Sequence, residues 1–266
     1  MAWWGKIIGG GLGFMMGGPL GALIGGAIGH QFDRGLKQLD HYDGSDLGDQ
    51  ERTQAAFFTA CFSVMGYLAK TDGQVSRDEI RMAEQVMAHM QLNAEQRRAA
   101  IDLFTEGKSA EFPLDEVLQQ FKRECHRRRN LLQMFLEILI TTALADGQLH
   151  RQERQALEHI AEQIGFDPRQ LRQLIQMVQA QQQFGQQPPP RASRNSLQDA
   201  YAVLGVESSA ADADIRKAYR RLLSQHHPDK LVAKGLPEEM IKLAAEKTHE
   251  IKQAYDTIRA SRSSMK

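Results

Sequence analysis

At 266 residues the chain has room for about one or two ordinary domains, and its 42% hydrophobic and 25% charged content is that of folded protein, not of a disordered or fibrous one. Lys plus Arg and Asp plus Glu each total 33, so no global field draws the chain to nucleic acid or acidic substrates, and electrostatic recognition has to come from a local patch. Two cysteines, Cys61 and Cys125, far apart and without CxxC spacing, argue against a disulfide or zinc framework and fit a reducing compartment.

The first element is apolar. Ile7 to Ile28 is a run of 22 residues without a charge, roughly 33 Å long as a helix and enough for a bilayer core of roughly 30 Å. Trp3 and Trp4 stand where an interfacial aromatic belt would lie, with Lys6 before the run and Asp33, Arg34 and Lys37 after it. A cleaved leader would have a shorter apolar stretch closed by a small-residue site, so residues 1–31 read as a retained single transmembrane helix held by membrane lipid. Gly9, Gly13, Gly17, Gly21, Gly25 and Gly29 recur at every fourth position. On a helix that spacing makes a smooth face, and in lipid such a face lets two backbones approach closely. The expectation is an anchor that pairs two copies into a homodimer, with Pro19 kinking the helix. In water each of those glycines would cost about 1 kcal/mol relative to alanine. Lys6 and the terminal amine balance Arg34 and Lys37, so charge alone leaves orientation undecided.

Residues 32–51 are polar and include HYDGSDLGDQ, a linker. The next region, 52–180, contains a duplication: AKTDGQVSRDEI from Ala69 and ALADGQLHRQER from Ala143 share Asp, Gly, Gln, Arg and Glu at the same offsets, 74 positions apart. Each follows an apolar helical run and precedes an amphipathic one, so each is a helix–turn–helix unit. Asp72-Gly73 and Asp146-Gly147 suit a turn in which glycine takes the left-handed position. Ser76 with Glu79 forms a capping box for the next helix, and Glu153 holds the same place after His150. Read as a calcium loop, the pattern lacks oxygen ligands at the third position and its glutamate comes too early; capping is the better account. KRECHRRRN, Lys122 to Asn130, reads as a solvated helix face. The duplicated all-helical region with its Asp-Gly turns resembles the TerB-like tellurite-resistance domain. If this copy bound an ion, Asp72, Glu79, Asp146 and Glu153 would be the first ligands to consider.

From Gln179 to Ser196 the chain is rich in glutamine, proline and small polar residues, a composition that builds no core. Residues 181–196 are expected to be a tether that isolates residues 197–266. There LQDAYAVLGV reads as a short helix stopped by Gly205. In ADIRKAYRRLLSQHH, Ile215, Ala218, Tyr219 and Leu222 share one face, while Arg216, Lys217, Arg220 and Arg221 fall on another. Pro228 ends that helix and pushes His227 out of helical geometry. A third helix runs from about Pro237 to Arg259, with Ile251, Ala254, Tyr255 and Ile258 on one face. Two amphipathic helices then pack antiparallel with HHPDK at the exposed tip.

The tip invites four readings. His226, His227 and Asp229 are metal-ligand types, but ligands this close in sequence chelate poorly as a set. A His–Asp pair on an open loop lacks a pocket to tune it for acid–base work. A bare chain reversal would explain Pro228 alone. Recognition accounts for the whole: a proline-fixed corner beside a cationic helix suits an acidic partner groove.

AYAVLGV, IRKAYRRLLSQHHPDK and EIKQAYDTIR together resemble the J-domain across its length, and with the anchor and the TerB-like centre the chain resembles the membrane-anchored DnaJ-like co-chaperones of bacteria. The resemblance implies an all-α protein whose C-terminal module docks on a DnaK-type chaperone and stimulates its ATP hydrolysis. His227, Pro228 and Asp229 would be the trigger, Lys230 an assistant, and Arg216, Lys217, Arg220 and Arg221 the docking face. It implies a bacterial inner-membrane protein with its amino terminus outside and its bulk in the cytoplasm, where ATP is. No cofactor, no nucleic acid and no chemistry of its own are expected, and neither a nucleophile–base set nor a phosphate loop is present. The chain lacks the Gly/Phe-rich and cysteine-rich regions of DnaJ itself, so client selection would fall to the central domain. The competing reading is a membrane-tethered metal sensor or adaptor acting through residues 52–180.

Overall fold

The computed structural model describes residues 20–21, 23, 49–71, 84, 87–88, 92–145, 147–185, 194–237 and 240–263. Regular structure among these is entirely helical. In the central domain, α1 is Asp49–Leu68, α2 Ala94–Gly107, α3 Leu114–Glu124, α4 Arg129–Ala143, α5 Arg151–Ile164 and α6 Pro168–Gly185. The C-terminal module has α7 Arg194–Leu204, α8 Asp212–His226, α9 Pro228–Val232 and α10 Ile241–Ser263.

Local chemistry sets the boundaries. The Asn93 carboxamide oxygen accepts from the Glu95 and Gln96 amides at 3.0 and 2.9 Å while Gln96 accepts from the Asn93 amide, which starts α2. Asp167 caps α6 in the same way ahead of Pro168. In the second repeat, Gly147 takes φ 86° in the turn and Glu153 accepts from the His150 amide at 2.8 Å, as the sequence predicts. The first repeat's Asp72, Gly73, Ser76 and Glu79, together with Asp146, lie outside the described residues. Gly205 stops α7 in the left-handed region with φ 64°.

The core gathers on α1. Phe57, Phe121 and Phe135, from α1, α3 and α4, meet at centroid distances of 4.7 to 6.4 Å in tilted and edge-on pairs. Lys122–Asn130 does more than face solvent: Cys125 is buried, Lys122 donates to the Gln163 carbonyl, Arg128 donates to Thr53, and Arg129 stacks on Phe166. Burial pushes the Cys61 and Cys125 thiols well up from their ordinary value. Neither thiol is expected to react with a chromogenic disulfide reagent until denaturant unfolds the central domain; rapid labelling of the native chain would contradict the packing.

The expected tether differs at its start. Helix α6 runs through Gly185, and Ala180 and Gln181 are buried. Composition suggests a flexible segment, but α6 packs along α7, and this contact gives the first of those glutamines a helical role. The C-terminal module is consequently seated on the central domain instead of being isolated from it.

Of the anchor's glycine register, only Gly21 is described, helical and buried; Gly9, Gly13, Gly17, Gly25 and Gly29 lie outside the described residues, as does Pro19. Leu20 and Leu23 join the apolar cluster, and the Leu20 amide donates to Gln120 Oε1 at 3.0 Å. Among the described residues no helix is long and apolar enough to cross a membrane.

Candidate functional site

Helix α8 carries the site. Asp212 and Asp214 lie in its first turn, where carboxylates favour the positive end of the dipole. Ile215, Ala218 and Leu222 are buried against α10, whose Ala244, Ile251, Ala254 and Ile258 are buried in turn. Tyr219 and Tyr255 stack between the helices at 4.1 Å, with planes 12° apart. Arg262 closes the far end, donating to the Tyr201 hydroxyl, an Asp212 carboxylate oxygen and the Ser208 carbonyl at 2.7 to 2.8 Å. Sequence reasoning missed Arg262, since its partners lie 50 to 61 positions away. Helix α10 also starts at Ile241 and ends at Ser263, later at both ends than the pattern predicts.

At the other end the chain turns. Helix α8 stops at His226; His227 is extended (φ −62°, ψ 123°), and Pro228 opens α9 at its first position. A proline there loses no hydrogen bond and has its φ already set. The Leu231 amide donates to the His227 carbonyl at 3.0 Å, and Lys230 Nζ donates to Ser224 Oγ at 2.7 Å, bracing the corner across the turn. The His227 side chain is 47% exposed and that of Asp229 91%, with Nδ1 and Oδ2 4.0 Å apart. Arg216, Lys217, Arg220 and Arg221 are all exposed. His227, Asp229 and these four cations are thus exposed.

His226 behaves differently from its neighbour. It is buried, its Nδ1 bonding the Leu222 carbonyl at 3.0 Å and its Nε2 the Glu137 carboxylate at 2.9 and 3.1 Å. Lys247 Nζ lies 3.2 Å from the same carboxylate and donates to Gln181 Oε1 at 3.1 Å. Thr248 Oγ1 donates to the His226 carbonyl at 3.0 Å. The sequence reading groups His226 with His227 and Asp229 as possible metal ligands; its ring is committed to Glu137 instead. The available signal was Glu137 itself, a charge inside the apolar run LLQMFLEILITTAL, which has to find a partner.

Glu153, the described member of the possible ion ligands, is buried and serves as the α5 capping residue. Asp72, Glu79 and Asp146 lie outside the described residues, among which no group of three or more His, Cys, Asp or Glu could hold a metal.

Three family models match in chain order: the co-chaperone DjlA transmembrane domain at residues 1–39, tellurite resistance protein TerB at 58–176 and the DnaJ domain at 199–264. Relatives named co-chaperone protein DjlA are similar over nearly the whole chain: that of Coxiella burnetii is 48% identical, covering 99% of each protein. That of Vibrio cholerae is 46% identical over 96% of each, and that of Photobacterium profundum 44% identical over 96% of this chain and 98% of the relative. No solved structure matches.

Proposed function

The chain belongs to the DjlA co-chaperone family, membrane-anchored bacterial proteins with a TerB domain and a J-domain, and on that premise we propose that its J-domain docks on a DnaK-type chaperone and accelerates that partner's ATP hydrolysis. The observation that carries the reading is the exposed corner His227-Pro228-Asp229, braced by Lys230 and placed at the end of the exposed cations Arg216, Lys217, Arg220 and Arg221. Cations on one helix face steer an acidic groove into register and raise the encounter rate. The corner then acts by binding one state of the partner better than the other, which is all a protein without reacting groups needs in order to change a neighbour's turnover. The hydrolytic chemistry is the partner's. Steady-state ATP hydrolysis by a DnaK-type chaperone, measured with and without the full chain in lipid, tests the reading; no stimulation at any ratio refutes it.

The division that accompanies this proposal is an anchor at 1–31, a linker at 32–51, the TerB domain at 52–180, a second linker at 181–196 whose first five residues continue α6, and the J-domain at 197–266. Because the partner uses ATP, the bulk of the chain faces the cytoplasm and only the short amino terminus lies outside the inner membrane. Leu20 and Leu23 have an apolar environment against the central domain, and lipid offers the same side chains another. The glycine register is proposed to pair two copies. With Gly17→Cys or Gly21→Cys, oxidation in vesicles is expected to give a crosslinked dimer on a denaturing gel; monomer at both positions would refute pairing through this face. The two buried native thiols leave the assay's background low.

A further inference from the structure

We infer that the TerB domain is a mount for the J-domain, with Glu137 as a positioning residue that orients His227-Pro228-Asp229 through the adjoining His226. The inference rests on the function proposed above and goes beyond it, because it gives the central domain a part in presenting the corner.

Glu137 is fully buried in the middle of α4. A carboxylate there is costly unless it is paired and hydrogen-bonded. From its own domain it receives the Gln133 amide at 2.9 Å; its two cationic partners, His226 and Lys247, both come from the J-domain. The α4 sequence therefore carries a charge whose compensation stands 89 positions away on α8. His226 is matched from both sides. One ring nitrogen faces a carbonyl and the other a carboxylate, both acceptors only, so the ring satisfies the pair as an imidazolium that donates twice. Its carbonyl is held by Thr248, and the next residue is the extended His227 that begins the corner.

Further contacts set the angle. Asn130 Nδ2 donates to the Gln225 carbonyl at 3.4 Å, and Gln50 and Gln54 of α1 donate to the Val232 and Leu236 carbonyls just beyond the corner. Gly235 lies so close to α1 that a Cβ there would stand 2.9 Å from Thr53 Cβ. All these contacts leave His227, Asp229 and the four docking cations exposed. The seat holds the J-domain without covering its docking face, which is the arrangement of a mount and not of a plug.

The charged groups around His226 are Glu137 on α4 and Lys247 on α10, with Glu250 on α10 acting on both Lys247 and Glu137. Burial favours the neutral imidazole, but Glu137 outweighs it and holds His226 above its ordinary value. Burial likewise pushes the Glu137 carboxyl up, and His226 and Lys247 together hold it below the usual carboxylate range. A raised histidine stabilises the seated state fully below its ordinary value and loses that contribution as pH rises through the raised one. A lowered carboxylate contributes above its ordinary value and fails only as pH falls through the lowered one. Seating is thus firmest at mildly acidic pH, between the ordinary carboxylate and imidazole values, and loosens as pH rises through the raised His226 value.

The test uses the full chain in lipid, titrated against a DnaK-type chaperone, as wild type, Glu137→Gln and Glu137→Gln/Lys247→Gln, the double variant removing both charges so that neither is left unpaired. Histidine-ring NMR on the same samples follows His226 through pH. If the engaged orientation falls to about a tenth of the population, the half-saturating concentration rises roughly tenfold while maximal stimulation is retained, and His226 titrates at a lower pH than in wild type. An unchanged half-saturating concentration, a loss confined to maximal stimulation, or increased stimulation would each overturn the mount. A wild-type chain that does not stimulate at all refutes the function proposed above and the mount's role with it, while the His226 titration still shows whether the seat exists.

Discussion

His227→Gln in the full chain is expected to return ATP hydrolysis by a DnaK-type chaperone to the unstimulated rate, a loss on the order of tenfold, or about 1.4 kcal/mol of barrier. The side chain is 47% exposed, and its approach to Asp229, at 4.0 Å, is too long for a hydrogen bond. Its removal should leave stability within about 0.5 kcal/mol of wild type. His226→Ala should behave in the opposite sense. Its ring is 3% exposed and pairs with Glu137, and removing one member of a buried pair costs roughly 3–5 kcal/mol. The melting temperature should therefore fall. Two adjacent histidines thus separate function from stability: one variant keeps its thermal transition and loses stimulation, and the other shows a lowered transition. Equal stimulation by wild type and His227→Gln would end the proposal that the corner is the trigger.

That contrast also marks how far the sequence could be read. The corner was legible because its parts are local: proline dictates where α8 ends, helical spacing separates Ile215, Ala218 and Leu222 from the cations, and glycines at 147 and 205 announce left-handed turns. The Glu153 capping box was legible for the same reason. The role of His226 was not: helical spacing places it four positions after Leu222 on the buried face and Pro228 sets His227 apart, but its partner is a carboxylate brought in by the fold. Glu137 offered a second clue, a charge amid apolar neighbours, though not the identity of its partner. The beginning of the tether departs from what its composition implies, because composition describes what a segment could do alone, whereas α6 extends to Gly185 alongside α7. Within the fold, sequence conveyed the pieces and left their seating to long-range contacts.

Among the described residues, Gly66 and Gly107 make the closest backbone approaches of any glycine. Gly66→Ala and Gly107→Ala are each expected to destabilise the central domain by about 2 kcal/mol or more, against the gain of up to about 1 kcal/mol that helix propensity alone would give. Helices α1 and α2 cross here with each glycine facing the other's backbone. A Cβ at Gly66 would stand 1.9 Å from the Phe104 carbonyl oxygen, and one at Gly107 would stand 1.8 Å from that of Ser63. The obstacles are backbone atoms, so no side chain can swing aside, and relief requires the helices to separate along a contact that buries Ser63, Leu103 and Phe104. Calorimetry should show the transition lowered by roughly 5–10 °C for either variant. Because one separation relieves both clashes, the double variant should cost less than the sum of the two. Gly147→Ala is the control: its φ of 86° strains any side chain, yet nothing lies within 4 Å of the added Cβ, so its cost is about 1 kcal/mol from the backbone alone. Unchanged or raised transitions for Gly66→Ala and Gly107→Ala would mean that α1 and α2 do not touch as closely as this packing requires.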